Sequence, residues 1–102
     1  MKPFEIWQAK FVLHDCQDDR PCVVVDKRGA DLVGCFPISG QCYSPPCFYL
    51  DADDPCFGAT GLIKSCYILD VRIFEKRATD LYRKRGELVG DLLDRFREYS
   101  GV

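Results

Sequence analysis

Residues 20–40 read RPCVVVDKRGADLVGCFPISG, and the way this stretch divides decides the fold. Cys22-Val23-Val24-Val25 is a run of small and β-branched side chains suited to a buried, pleated strand. Pro21 is tolerated at its first position. Lys27-Arg28-Gly29-Ala30-Asp31 has turn chemistry, and Leu32 to Ile38 returns as a second apolar run. Two such runs around a short polar turn predict an antiparallel hairpin, closed by Ser39-Gly40.

Upstream, FEIWQAKFVL (4–13) alternates Trp7, Ala9, Phe11 and Leu13 with Ile6, Gln8, Lys10 and Val12, the period of two of a strand. HDCQDDR (14–20) reads as the polar loop that follows it. Downstream, residues 42–61 are loop-rich, with Pro45-Pro46 and Asp54-Pro55 as breakers and a short strand candidate at Cys47 to Leu50. Ser65 to Phe74 predicts a longer strand with Tyr67, Leu69, Val71 and Ile73 on one face, and a charged stretch leads on to Gly86. Leu88, Leu92, Phe96 and Tyr99, with Val89 and Leu93 beside them, follow the rhythm of an amphipathic helix that stops before Gly101. Gly90 is expected to cost that helix about 1 kcal/mol relative to Ala. Strands first and one terminal helix make an α+β arrangement, read as a single domain over residues 1–102.

With 102 residues, 47% of them hydrophobic, the chain has the means to bury one core. Its net charge of -2 excludes a uniformly basic surface, so an anion site must come from local clustering, as in Arg72, Lys76, Arg77, Arg83, Lys84 and Arg85. Seven cysteines, an odd number, behind a start without an apolar signal segment are read as thiols of a reducing, cytoplasmic compartment. Cys22, Cys35, Cys47 and Cys66 lie in apolar or β-like runs where a thiol packs as a small hydrophobe. No stretch is long enough to cross a bilayer.

The cysteine spacings contain no tight CxxC pair and His14 is the only imidazole, which argues against a metal site. Cys16 with His14 lacks an orienting partner, and Gly58-Ala59-Thr60-Gly61 neither follows a clear strand nor opens a helix as a phosphate cradle does. There remain polar groups at strand ends: His14 and Arg20, Ser39 and Gln41, Thr60 and Lys64. A guanidinium fork matches two phosphate oxygens and a hydroxyl donates to a third, so these types suit a phosphodiester without metal or cofactor.

The order of these pieces resembles the MazF/PemK family. Glu5-Ile6-Trp7, a polar loop, Arg20-Pro21-Cys22-Val23-Val24-Val25 and Pro37-Ile38-Ser39-Gly40-Gln41 are similar to its opening strand, its R-P strand and its P-[VI]-T-[ST] turn. Asp70 to Lys76, DVRIFEK, is similar to its Q-[IL]-R-[TS]-[IV]-D-K stretch. The resemblance implies a small SH3-like antiparallel β-barrel with a C-terminal helix, a homodimer, cleavage of single-stranded RNA, and an antitoxin partner whose tail occupies the RNA groove. It puts Arg20 and Ser39 at the family's catalytic Arg and Thr, and His14 in the loop of a functional His. Thr60 and Lys64 fit the T-G and basic positions of the Kid/PemK branch, and with Gln41 and Arg72 they form the expected RNA-binding set. Ser39 stands for the usual Thr, Cys66 for an acidic residue and Asp70 for Gln. These departures leave a second expectation, a catalytically inactive barrel that binds a protein, either the antitoxin or a target such as gyrase.

In the expected reaction the RNA 2'-hydroxyl attacks the adjacent phosphate and leaves a 2',3'-cyclic phosphate. Arg20 clamps the phosphate, Ser39 donates to a non-bridging oxygen, and His14, Asp18 or Asp19 takes the proton. Tyr43 and Phe48 have the ring faces to stack on unpaired bases, but core packing is the favoured use of each.

Overall fold

Alternation along residues 4–13 and 20–39 does fold into strands, and each of the three long ones buries a different set of side chains on each face. The computed structural model describes residues 1–13, 16–43, 45–69 and 73–102, with the side chains of 12, 13 and 16–18 left aside. These residues form seven strands: β1 (Glu5–Leu13), β2 (Cys16–Lys27), β3 (Leu32–Ser39), β4 (Phe48–Leu50), β5 (Cys66–Ile68), β6 (Phe74–Arg77) and β7 (Arg83–Glu87). Short 3-10 turns occupy Phe57–Thr60 and Ala78–Asp80, and one helix, α1 (Gly90–Ser100), follows β7. The pairings are antiparallel, in the order β4-β5-β3-β2-β1-β7, with β6 also on β3. The architecture is thus a partly closed antiparallel β-barrel with a C-terminal helix. No helix among the described residues is long and apolar enough to cross a membrane.

The expected hairpin is present, with Cys22 opposite Pro37 and Val24 opposite Cys35, and a bulge between Val24 and Asp26 sharpens its twist. One face carries Val23, Val25, Phe36 and Ile38 into a core closed by Leu92 and Phe96 of α1. The other carries Cys22, Val24, Val33 and Cys35 into a second cluster with Ala9, Phe11 and Leu81. Burial on both faces explains why the run is almost wholly apolar. Phe96, fully buried, meets Phe4, Phe36 and Phe48 edge-on at centroid distances of 6.4, 6.3 and 5.2 Å.

Several expectations are corrected. The polar loop at 14–20 is mostly strand: β2 starts at Cys16, and its charged first residues pair with β1, from Leu13↔Cys16 to Ala9↔Arg20. The long strand expected over 65–74 is two short ones, both against β3, and Cys66 and Ile68 supply the core face while Tyr67 lies on the opposite one. The charged stretch before Gly86 contains β7, which is held by pairing with β1. Gly90 is no tax on α1: its φ of 57° is a backbone conformation that side chains resist, so glycine is what lets the helix start there. Of the two uses open to Phe48, it takes the core one, packed on Phe96 and Tyr99. Finally, Cys42 and Cys47 are joined as a disulfide, against the reading of all cysteines as thiols; the loop brings their Cα atoms to 6.0 Å, within bridging range. Cys22, Cys35 and Cys66 are buried thiols, as expected.

Glu5 ties the opening strand to β7. Its carboxylate accepts hydrogen bonds from the Lys2 backbone N–H and Trp7 Nε1, both at 3.0 Å, and pairs with Lys84 Nζ at 2.9 Å. Burial alone would raise its pKa, but the Lys2 amide, Lys84 and Trp7 together more than offset that and hold it at about 2.

Candidate nucleic-acid interface

Arg20 and Ser39 come from the two strands whose pairing defines the hairpin. The β2–β3 ladder reaches Cys22↔Pro37, and each residue lies two positions beyond that pair on its own strand. Alternation puts Arg20 on the face of Cys22 and Val24, and Ser39 on the face of Val33 and Cys35, which is the same face of the sheet. Arg20 is half-buried, with its Nε withdrawn from solvent. Ser39 is 7% exposed, and its Oγ accepts a hydrogen bond from the Gln41 amide at 3.2 Å. Accepting that bond leaves the hydroxyl proton available for donation.

Beside Ser39 opens a groove of about 190 Å³. Pro21, Ile38 and Leu62 give it an apolar floor, and Ser39, Lys64 and Arg85 stand on its lining. Lys64 and Ser39 thus line one groove. In the sequence Arg85 is one member of a basic cluster, with nothing local to set it apart. Its placement comes from β7, whose pairing carries it beside β1: Nη1 donates to Gln8 Oε1 at 2.8 Å and Nη2 to the Gly61 carbonyl at 3.0 Å. Gln8 donates in turn to Asp19 Oδ1 at 3.2 Å, and the Tyr82 hydroxyl donates to the other Asp19 oxygen. That hydrogen bond and the Asp19 charge raise the Tyr82 pKa.

The loop behind Lys64 is fixed by close backbone contact. A Cβ at Gly61 would stand 1.9 Å from the Arg85 carbonyl oxygen, and one at Gly86 would stand 2.2 Å from that of Ala59. Gly61 also has a φ of 70°, so both steric space and conformation require glycine.

The other expected site residues divide. Thr60 is fully buried; its hydroxyl donates to the Phe57 carbonyl at 2.6 Å and accepts from the Leu62 amide at 3.2 Å, so it shapes the turn and presents nothing to a ligand. Gln41 is exposed on the turn after β3, outside the groove lining. His14 and Arg72 lie outside the described residues, as does the side chain of Asp18. Cys66, where the family resemblance has an acid, lines the groove as a buried thiol. Burial pushes its pKa up to about 11, so it stays protonated at neutral pH and cannot act as the base. Among the described residues, no three His, Cys, Asp or Glu side chains gather as a metal site.

Neither models of known protein families nor curated proteins give a match to the chain.

Proposed function

We propose that this chain is a MazF/PemK-like toxin, a metal-independent endoribonuclease of single-stranded RNA. The observation that carries the reading is the shared face of Arg20 and Ser39, on neighbouring strands and equally far past Cys22↔Pro37. Arg20 is the phosphate clamp: its planar fork matches two phosphate oxygens, and partial withdrawal from water strengthens its attraction for the charge that develops in the transition state. Ser39 donates to a non-bridging oxygen. Lys64 guides the backbone from the rim of the groove, and the base for the 2'-hydroxyl is His14 on sequence grounds. The rest of the proposal follows the resemblance: an SH3-like barrel, a cytoplasmic homodimer, and an antitoxin covering the RNA path.

Antitoxin-free protein incubated with a long RNA tests this. Cleavage should survive EDTA, stop when the scissile nucleotide is 2'-deoxy, and fall by about 10²-fold or more in Arg20→Ala. Equal cutting by Arg20→Ala, or cutting abolished by EDTA, refutes the assignment.

A second reading has its own support: Ser39 is 7% exposed and Cys66 is a neutral thiol. Both features fit a barrel kept to bind a protein partner. Absence of RNA cleavage, with retention of a disordered acidic antitoxin peptide, is the result that selects it.

A further inference from the structure

We infer that Tyr49 and Tyr67 form a stacking platform for an unpaired nucleobase next to the phosphate held by Arg20 and Ser39. The inference rests on the ribonuclease reading and adds the subsite that receives a flanking nucleotide. Its basis is register. Ser39 of β3 is directly opposite Tyr67 of β5, and Tyr67 is directly opposite Tyr49 of β4. Directly opposed residues share a face, so the hydroxyl and the two rings form one row across three strands. Neighbouring strands are about 4.8 Å apart, which puts Tyr67 about 5 Å and Tyr49 about 10 Å from Ser39 along the row. That is the reach of the base on a nucleotide whose phosphate sits at Ser39.

The rings belong to the outer face of this small sheet. Phe48, Leu50, Cys66 and Ile68, on the alternate positions, supply the side chains that β4 and β5 send into the core. Tyr49 is 49% exposed and Tyr67 half-buried, with centroids 5.2 Å apart and planes inclined by 44°. A cross-strand aromatic pair supports its hairpin by about 0.2–1 kcal/mol, a structural role that is compatible with the exposure of Tyr49. The charge beside the rings selects the ligand. Arg20, as far past Cys22↔Pro37 on β2 as Ser39 is on β3, extends the same row beyond the hydroxyl, so the aromatic surface leads to a cation, the combination that binds a single strand through its bases and backbone together. Either tyrosine acts through its ring face, so phenylalanine should replace it.

The test uses a fluorescent 2'-O-methyl oligoribonucleotide of mixed sequence, which lacks the attacking hydroxyl, and measures binding by anisotropy. Tyr49→Ser and Tyr67→Ser should each weaken binding about 5- to 100-fold, while Tyr49→Phe and Tyr67→Phe stay near wild type. An abasic strand of the same length should bind wild-type protein more weakly by a similar factor and be nearly blind to Tyr49→Ser. The abasic arm needs no variant, so a misfolded mutant cannot decide the outcome. If wild type holds abasic and normal strands equally, or if Tyr49→Ser binds the normal strand like wild type, the platform is refuted. The ribonuclease reading then still stands, provided Arg20→Ala abolishes cleavage. If wild type neither binds nor cuts RNA, both fall.

Discussion

Replacing Glu5 by Gln removes one charge and little else, which makes it a clean probe of how β1 is held to β7. Gln keeps an acceptor oxygen for the Lys2 amide and Trp7 Nε1 but loses the ion pair with Lys84. In wild type the folded-state pKa of about 2 lies below the ordinary 4.5. A depressed carboxyl pKa stabilises the folded state fully above the unfolded value, and that contribution is lost as pH falls from about 4.5 towards 2. At ~1.36 kcal/mol per pH unit the ceiling is about 3 kcal/mol. Lys84 is 46% exposed, so solvent screening reduces this, and about 1–2 kcal/mol is expected. Urea denaturation followed by fluorescence of Trp7, the single tryptophan, should show Glu5→Gln less stable than wild type by that amount at pH 7. The gap should narrow below about pH 4.5 and nearly close by about pH 2. A gap that is the same at both ends, or absent at pH 7, shows that the charge of Glu5 does not hold the strands together.

Phe96→Ala should cost about 3–5 kcal/mol in the same assay, since it empties a fully buried site surrounded by three other rings. Thr60→Val keeps the shape but strands the Phe57 carbonyl and the Leu62 amide; a loss of about 1–3 kcal/mol in stability is expected. RNA affinity at temperatures where the variant is folded should be unchanged. Reducing Cys42–Cys47, which closes a loop of sequence separation 5, should lower stability by about 2 kcal/mol, and a thiol titration before and after should differ by two.

The parts of this fold that could be read directly are those where side chains announce their surroundings. Val23 to Val25 and Phe36 to Ile38 are apolar because both faces of their hairpin are covered, and Leu92 and Phe96 repeat at helical spacing because one side of α1 closes the barrel. β7 was illegible for the opposite reason. Arg83 to Glu87 form an exposed strand at the end of the pairing order, and their geometry is dictated by β1; charged side chains suit such an edge. The break between β5 and β6 was hidden because both segments alternate, and only contact with different parts of β3 separates them. Arg20 and Ser39 stand out in the sequence as polar residues at the ends of apolar runs, and the ladder puts them on one face. Thr60 misled because a hydroxyl spent inside a turn has the same letter as one offered to a ligand. Arg85 depends on partners at positions 8 and 61, remote in sequence.

The contact of peptide planes at Gly61 and Gly86 has a mechanical meaning. With no side chain between them, the segment that leads to Lys64 and the strand bearing Arg85 lie backbone against backbone, and the guanidinium ties them to Gln8. The side of the groove that carries Lys64 and Arg85 is therefore braced through the backbone, and a side chain at either glycine would pry it apart.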